Sequence, residues 1–175
     1  MTRRRSFDRD YYARFYEDDP VHTRTKIAQL AQGVHSFAQW WDLDIASVLD
    51  IGAGPGYWRD WYAQNHPDVE YCSTDVSKHA CETYGHELRD ITSWRPRRRF
   101  DLVVCHGVLH YLDPAGASAA IENIAPVMSI RVDGPGAWRI SKFSTNTPLP
   151  VSPGCLFLSR ETASRPILEN RCFNQ

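Results

Sequence analysis

A glycine-rich turn with an aspartate in front of it is the stretch best suited to bind a nucleotide-like ligand. Asp50 ends a short apolar run, and Gly52, Gly54 and Gly56 follow at alternate positions. Glycine permits backbone conformations and a close ligand approach that a β-carbon would hinder. The helix predicted from Tyr57 onward offers unpaired N–H groups at its start. This stretch therefore predicts a strand, a ligand-binding turn and a helix.

The spacing of the glycines bears on which ligand fits the turn. A dinucleotide-binding turn of the G-x-G-x-x-G kind has its third glycine three positions after the second. Tyr57 stands at that position here, and the third glycine, Gly56, comes one residue earlier. The spacing weighs against NAD, and taken alone it leaves open a glycine turn that binds no ligand.

A second carboxylate follows the next predicted strand. Asp75 ends the stretch 69–75 and lies 19 residues beyond Gly56. An acidic side chain at this place can accept hydrogen bonds from both hydroxyls of an adenosine ribose. The alternative is that Asp75 only caps the helix predicted over 77–84.

The third predicted strand, 86–91, brings a carboxylate and an apolar side chain to the same edge. In open α/β sheets, ligands bind at the carboxyl ends of the strands. Asp90 can accept a hydrogen bond from an adenine amino group there, and Ile91 can pack against the ring. Capping of the turn over 92–94 is the competing role for Asp90.

The elements that must position these residues alternate as strand and helix, which predicts a parallel α/β sheet. The fourth strand, 100–106, is an almost continuous apolar run, as expected of a strand covered on both faces. An amphipathic helix over 24–41, capped by Thr23 or Thr25, is expected to cover one face of the sheet. His35 lies between the apolar positions of that helix and is expected at the surface.

Four segments, in this order and at this spacing, resemble the class I S-adenosylmethionine (SAM)-dependent methyltransferases. They are Asp50-Ile-Gly-Ala-Gly-Pro-Gly56, Ser73-Thr-Asp-Val-Ser77, Arg89-Asp-Ile91 and Phe100-Asp-Leu-Val-Val-Cys-His-Gly-Val-Leu-His-Tyr-Leu112. The resemblance covers roughly residues 45–125. It implies a Rossmann-like, doubly wound, mainly parallel sheet, SAM as cofactor, and methyl transfer to a small molecule.

The resemblance also implies which residues touch the cofactor. They are Asp50, Gly52, Ala53, Gly54, Gly56, Asp75, Val76, Asp90, Ile91 and His106. The first strand and its turn would face the methionine part of SAM. Asp75 would hold the ribose, and Asp90 with Ile91 would frame the adenine.

Two histidines after the fourth strand, His106 and His110, are the candidates for a general base. The intrinsic pKa of imidazole suits proton transfer near neutral pH. A structural role for each is the competing interpretation. No metal site is predicted, because the five cysteines form no C-x-x-C pair.

The segment 6–20 carries five aromatic residues among charged ones. Tyr12, Phe15 and Tyr16 can share one helical face. The segment is either a short helix packed on the domain or a lid that closes over the ligand, and it resembles the N-terminal cap of small-molecule methyltransferases.

The composition limits the classes of partner. The 175 residues carry a formal net charge of −1. The chain therefore lacks the overall basic charge expected of a protein that binds nucleic acid or an anionic membrane. No apolar run is long enough to span a membrane, no signal peptide opens the chain, and the scattered cysteines suit a reducing compartment. We therefore expect a cytoplasmic protein with a small-molecule substrate; the sequence does not indicate its oligomeric state.

Three regions divide the chain. They are an N-terminal cap and helix at 1–44, a SAM-binding core at 45–128, and an irregular tail at 129–175 with at most one further strand, for which Ala137–Phe143 is a candidate. Several prolines interrupt the tail. Either the tail is poorly ordered, or it stems from a frameshifted or truncated reading frame and was never selected to fold. In the second case the sheet is incomplete at its C-terminal edge.

Three functions remain compatible with the sequence. The first is a SAM-dependent methyltransferase acting on a small molecule. The second is a non-catalytic methyltransferase-like module that binds SAM or a protein partner. The third is an NAD-dependent oxidoreductase, against which Tyr57 and the lack of a Tyr-x-x-x-Lys pair both weigh.

Overall fold

A computed structural model of the chain describes residues 6–18, 20, 22–128 and 155–158. Its helices are α1 (Arg9–Tyr12), α2 (Arg24–Trp40), α3 (Tyr57–Asn65), α4 (Lys78–Tyr84) and α5 (Pro114–Ile124). Its strands are β1 (Ser47–Ile51), β2 (Glu70–Asp75), β3 (Glu87–Leu88), β4 (Leu102–Cys105) and β5 (Cys155–Leu158). A π-helical turn continues α1 over Ala13–Asp18, and short 3-10 turns lie at Leu109–Tyr111 and Ala125–Val127.

The five strands form one sheet in the order β3-β2-β1-β4-β5. The first four strands pair in parallel, and β5 pairs antiparallel to β4. The predicted mainly parallel α/β sheet is therefore confirmed. The candidate strand Ala137–Phe143 lies outside the described residues, and the edge beside β4 is formed by Cys155–Leu158 instead.

The order of the strands explains where a ligand site can form. The chain leaves β1 for β2 on one side, and later returns to place β4 on the other side of β1. Connections that diverge in this way open a crevice at the carboxyl ends of the two central strands. The glycine turn follows β1 directly, so it lies at this crevice.

Side chains on alternate residues of the strands build two cores, one on each face. Val48 and Val104 pack with α2 and α3, whereas Leu49 and Val103 pack with α5 and the turn at Ala125–Val127. Each of these four side chains is at most 1% exposed. At these positions the period of two expected of a strand covered on both faces is thus filled by apolar residues, which confirms the doubly wound arrangement.

The first core helix begins as predicted but buries one residue expected at the surface. Thr23 caps α2, its side chain accepting from the N–H of Lys26. His35 is only 5% exposed, stacks on His66 with ring centroids 3.8 Å apart, and lies 3.4 Å from the Tyr62 hydroxyl. The surface prediction for His35 was wrong, because an imidazole can pack with aromatic rings while a hydroxyl partners its nitrogen.

The third strand is shorter than predicted. The stretch 86–91 contains only the two-residue strand β3, and a turn begins at Asp90, whose carbonyl oxygen accepts from the N–H groups of Ser93 and Trp94. β3 is an edge strand that pairs only with β2, and edge strands are often short. Among the described residues, no helix is both long and apolar enough to cross a membrane.

Candidate cofactor site

The glycine turn is held in shape by the end of β2. The N–H groups of Gly52 and Ala53 both donate to the Thr74 carbonyl oxygen, at 2.8 and 3.0 Å, and the Gly56 N–H donates to the Ala53 carbonyl oxygen at 2.9 Å. Gly52 has a φ of +70°, and a β-carbon on it would overlap the Val108 side chain. Conformation and space therefore both require glycine at the first position of the turn.

The carboxylate of Asp75 joins the end of β2 to this turn. One oxygen accepts from the Gly54 N–H at 2.9 Å and the other from the Ser77 N–H at 2.8 Å, and the side chain is 5% exposed. The cap of α4 is Ser77, whose hydroxyl accepts from the Ala80 N–H. Asp75 is thus not the helix cap; it is a buried acceptor placed against the glycine turn, next to the 46%-exposed Val76.

Asp50 is buried at the end of β1 and bonded to the neighbouring strand. The Tyr71 hydroxyl donates to its carboxylate at 2.8 Å. Burial, and to a lesser degree the nearby Asp75, raise the pKa of Asp50 to about 7, against the lowering effect of the Tyr71 bond. Protonated and ionised forms therefore coexist near neutral pH. One oxygen of the Asp50 carboxylate is therefore already occupied by the Tyr71 hydroxyl.

Asp90 and Ile91 lie together in the turn after β3 and not within the strand predicted over 86–91. The Asp90 carboxylate accepts from the N–H and the hydroxyl of Thr92, at 2.9 and 2.7 Å, and both bonds go to the same oxygen. The turn-capping alternative thus describes what Asp90 does in this structure. Ile91 is 5% exposed and belongs to the core on the α5 face.

The two candidate bases both lie just beyond β4. His106 is half-buried, with its ring centroid 5.2 Å from that of His22 and 6.3 Å from that of Trp58. Burial first, then His22 and His110, lower the pKa of His106. His110 is exposed and its ring lies 3.9 Å from that of Tyr111. His22 was not found from the sequence, because it precedes α2 and no spacing links it to β4.

The N-terminal aromatic segment is docked across the carboxyl ends of the strands. The Ser77 hydroxyl donates to the Phe7 carbonyl oxygen, and the hydroxyls of Tyr11 and Tyr111 are 2.8 Å apart. These two contacts fasten the segment to the start of α4 and to the turn after β4. The packed helix and the lid both require such docking, so the position alone does not separate them.

Tyr16 of this segment lies against the glycine turn, and Tyr12 packs beside it. Tyr12 is 4% exposed and its ring stacks on that of Tyr16 at 5.4 Å. The Tyr16 hydroxyl would lie 3.3 Å from a β-carbon on Gly54, and burial raises the pKa of Tyr16 to about 12. The side chain therefore stays protonated and can donate a hydrogen bond beside the turn at any ordinary pH.

A cavity of about 390 Å³ opens between this segment and the start of α3. Its walls combine aromatic rings with charged groups. The lining residues are Tyr16, Glu17, Arg24, Pro55, Tyr57, Arg59, Asp60, Thr83 and Tyr84. The cavity thus borders the glycine turn at Pro55 and has the volume of a small-molecule site.

One buried histidine at the turn escaped the sequence analysis. His86 directly precedes β3, is 7% exposed, and lies 2.9 Å from the Gly54 carbonyl oxygen. Its position in the sequence, at the start of a predicted strand, carries no signal of this contact.

Comparison of the sequence with protein families finds a methyltransferase domain. The family model described as a methyltransferase domain matches residues 49–131, which include the glycine turn, Asp75, Asp90 and the end of β4. Comparison with curated proteins finds no match.

Comparison of the structure with solved structures finds methyltransferases. The plantazolicin methyltransferase BpumL, in complex with a monoazolic desmethylPZN analog and SAH, is 16% identical with a TM-score of 0.54, over 68% of this chain and 47% of that chain. A SAM-dependent methyltransferase from Clostridium acetobutylicum ATCC 824 is 15% identical with a TM-score of 0.54, over 69% and 53%. CalS10 from Micromonospora echinaspora, an amino pentose methyltransferase solved with SAM, is 18% identical with a TM-score of 0.54, over 74% and 56%.

These likenesses establish the fold of the chain. The chain spans about half the length of the solved structures that it matches, 47% in the case of BpumL.

Proposed function

We propose that this chain, whose residues 49–131 match the methyltransferase-domain model and whose fold is that of solved methyltransferases, transfers a methyl group from SAM to a small-molecule acceptor. The observation that carries the proposal is the buried Asp75 carboxylate, hydrogen-bonded to Gly54 of the glycine turn at the point where the strand order diverges. An acceptor at the end of β2, beside a turn with three glycines, suits the hydroxyls of an adenosine ribose.

The residues present fit SAM in their chemistry. Asp75 supplies a carboxylate for the ribose, Ile91 an apolar surface for the adenine, and Asp90 an acceptor for the adenine amino group. The methionine part would lie along the glycine turn, and Asp50 supplies a carboxylate at the end of β1 beside it. Bound SAM supplies a methyl group on a positively charged sulfur. The described residues supply binding, alignment and the exclusion of water.

His106 is the residue we assign to proton removal from an acceptor that must lose a proton. Its lowered pKa keeps the imidazole neutral at neutral pH and therefore able to accept a proton. His22 lies beside it, with ring centroids 5.2 Å apart, and can take part in passing the proton to solvent. His110 is the second candidate, exposed on the following turn.

A small-molecule acceptor is supported by the named neighbours and by the cavity. BpumL is a plantazolicin methyltransferase, and CalS10 acts on an amino pentose. The cavity of about 390 Å³ beside the glycine turn is of the same order as a small-molecule site. A non-catalytic SAM-binding module is the second candidate function, because the chain spans about half the length of these enzymes.

A turnover assay separates the two candidates. The protein is incubated with methyl-labelled SAM and a panel of small amines, azoles and phenols, and SAH release is measured. An acceptor-dependent rate supports the methyltransferase; tight SAM binding with no acceptor-dependent rate across the panel favours the binding module. Asp75→Asn should weaken SAM binding by about tenfold or more, since charge-assisted hydrogen bonds are lost. Asp68→Asn, an exposed carboxylate after α3, is the matched control.

A further inference from the structure

His86 lies beneath the glycine turn with both ring nitrogens engaged. Nε2 is 2.9 Å from the Gly54 carbonyl oxygen, and Nδ1 is 2.8 Å from the Ser73 hydroxyl. A carbonyl oxygen can only accept, so Nε2 must carry the proton. In the neutral ring, Nδ1 then accepts from the Ser73 hydroxyl. Burial lowers the pKa of His86, which favours this neutral form.

Gly54 is thereby held from two sides. Its N–H donates to the Asp75 carboxylate, and its carbonyl oxygen accepts from His86. Pro55 follows, so the next peptide offers no N–H to hold this part of the turn. The imidazole also borders Gly56, where a β-carbon would lie 3.5 Å from its Cε1. The ring is therefore a brace between β2, β3 and the turn.

We propose that His86 is a positioning residue for the cofactor: its Nε2–H fixes the Gly54 carbonyl and so keeps the glycine turn in its ligand-ready shape. This inference rests on the proposed function, because the turn must bind SAM for its shape to matter. Binding of a ribose draws on the same Asp75 carboxylate that holds the Gly54 N–H. His86 bonds to the carbonyl oxygen of Gly54 instead of its N–H, so this hydrogen bond remains when Asp75 accepts from the ligand.

A buried histidine with a purely structural role makes a different prediction. Its loss would lower the free energy of unfolding, and any polar or apolar replacement that folds would bind cofactor normally. A positioning role instead requires that the replacement keep a donor at the place of Nε2. Glutamine can place its amide N–H near that position, whereas asparagine reaches only the place of Nδ1.

The test compares His86→Gln, His86→Asn and His86→Leu, with Ser73→Ala to remove the other contact of the ring. SAH affinity is measured by calorimetry at a temperature where each variant is folded, and melting curves report stability separately. We expect His86→Gln and Ser73→Ala to bind SAH within about threefold of the wild type. His86→Asn and His86→Leu should bind about tenfold or more weakly, the loss of one buried hydrogen bond at the site.

Three results would overturn the proposal. Equal SAH affinity of the glutamine and leucine variants would show that the donor is irrelevant, and rescue by asparagine would move the effect to the Ser73 contact. If His86→Leu does not fold, the SAH affinities of His86→Gln and His86→Asn still distinguish the positioning role from a structural one. Long-range 1H–15N spectra of the wild type should show the proton on Nε2 across pH 6–8; a proton on Nδ1 alone would overturn the proposal without reference to SAM. A wild type that binds no SAH would instead remove the proposed function itself.

Discussion

The hydroxyls of Tyr11 and Tyr111 lie 2.8 Å apart and join the N-terminal aromatic segment to the turn after β4. This bond, with the ring contact of Phe7 on Tyr111 at 5.3 Å, holds the segment over the carboxyl ends of the strands. A closed segment of this kind excludes water from the reacting groups. The lid interpretation requires the segment to open before a ligand enters.

The first prediction concerns this closure. Tyr11→Phe and Tyr111→Phe each remove the same hydrogen bond, so each should raise the rate of tryptic cleavage at Arg9 and Arg14 by about two- to tenfold. The double variant should be cleaved no faster than the faster single one, because the two changes act on one interaction. Saturating SAH should slow cleavage of the wild type if the segment is a lid. Equal rates with and without SAH would leave the permanently packed helix.

The second prediction compares two glycines with opposite surroundings. Gly52 has a φ of +70° and faces Val108, whereas Gly33 lies inside α2 with nothing within 4 Å of an added β-carbon. Gly33→Ala should raise the free energy of unfolding by about 0.5–1 kcal/mol. Gly52→Ala should lower it by about 1–3 kcal/mol through backbone strain and should reduce SAH affinity. Urea denaturation checks both values; a Gly52→Ala variant as stable as the wild type contradicts the account of the turn.

The third prediction concerns the pH dependence of stability. The pKa of Asp50 is about 7 in the folded chain and 3.8 in a free aspartate. The folded state therefore binds more protons between these values, and this group's contribution to stability is full below pH 4 and is lost as the pH rises through 7. The stability of the wild type relative to Asp50→Asn should fall between pH 5 and pH 8. Parallel pH profiles of the two proteins would show that Asp50 is not perturbed by burial.

A fourth prediction addresses the edge of the sheet. The backbone pairing of Cys155–Leu158 with β4 predicts slow amide exchange in this short stretch. Hydrogen-exchange mass spectrometry on peptides covering Leu156 and Leu158 checks it. Slow exchange there would contradict the interpretation that the tail was never selected to fold. Exchange as fast as in an unfolded peptide would contradict the pairing.

The sequence predicted the parts of the fold that follow from local chemistry. The strand, turn and helix around Asp50–Gly56 and the helix capped by Thr23 depend on residues close in the chain, and the structure has them as predicted. The order of the strands was not predicted; only their parallel pairing followed from the alternation of strand and helix. The burial of His35 did not, since it depends on its stack with His66, which lies on a different element.

The residues around the glycine turn were likewise predicted only in part. Asp75 was found because its distance from the glycine turn is a local regularity. His86 and Tyr16, which both touch Gly54, were not assigned to it, because each reaches the turn through tertiary packing. The Asp75 carboxylate bonds to both Gly54 and Ser77, and these bonds likewise depend on tertiary structure that the sequence spacing does not reveal.

The central claim is that the turn after β1 and the Asp75 carboxylate bind SAM. Calorimetric titration of the wild type with SAH, SAM and NAD tests it most directly, with Asp75→Asn and Asp68→Asn measured beside it. The account predicts saturable binding of SAH and SAM, none of NAD, a loss of about tenfold or more in Asp75→Asn, and wild-type affinity in Asp68→Asn. Tight binding of NAD with none of SAH or SAM would contradict it.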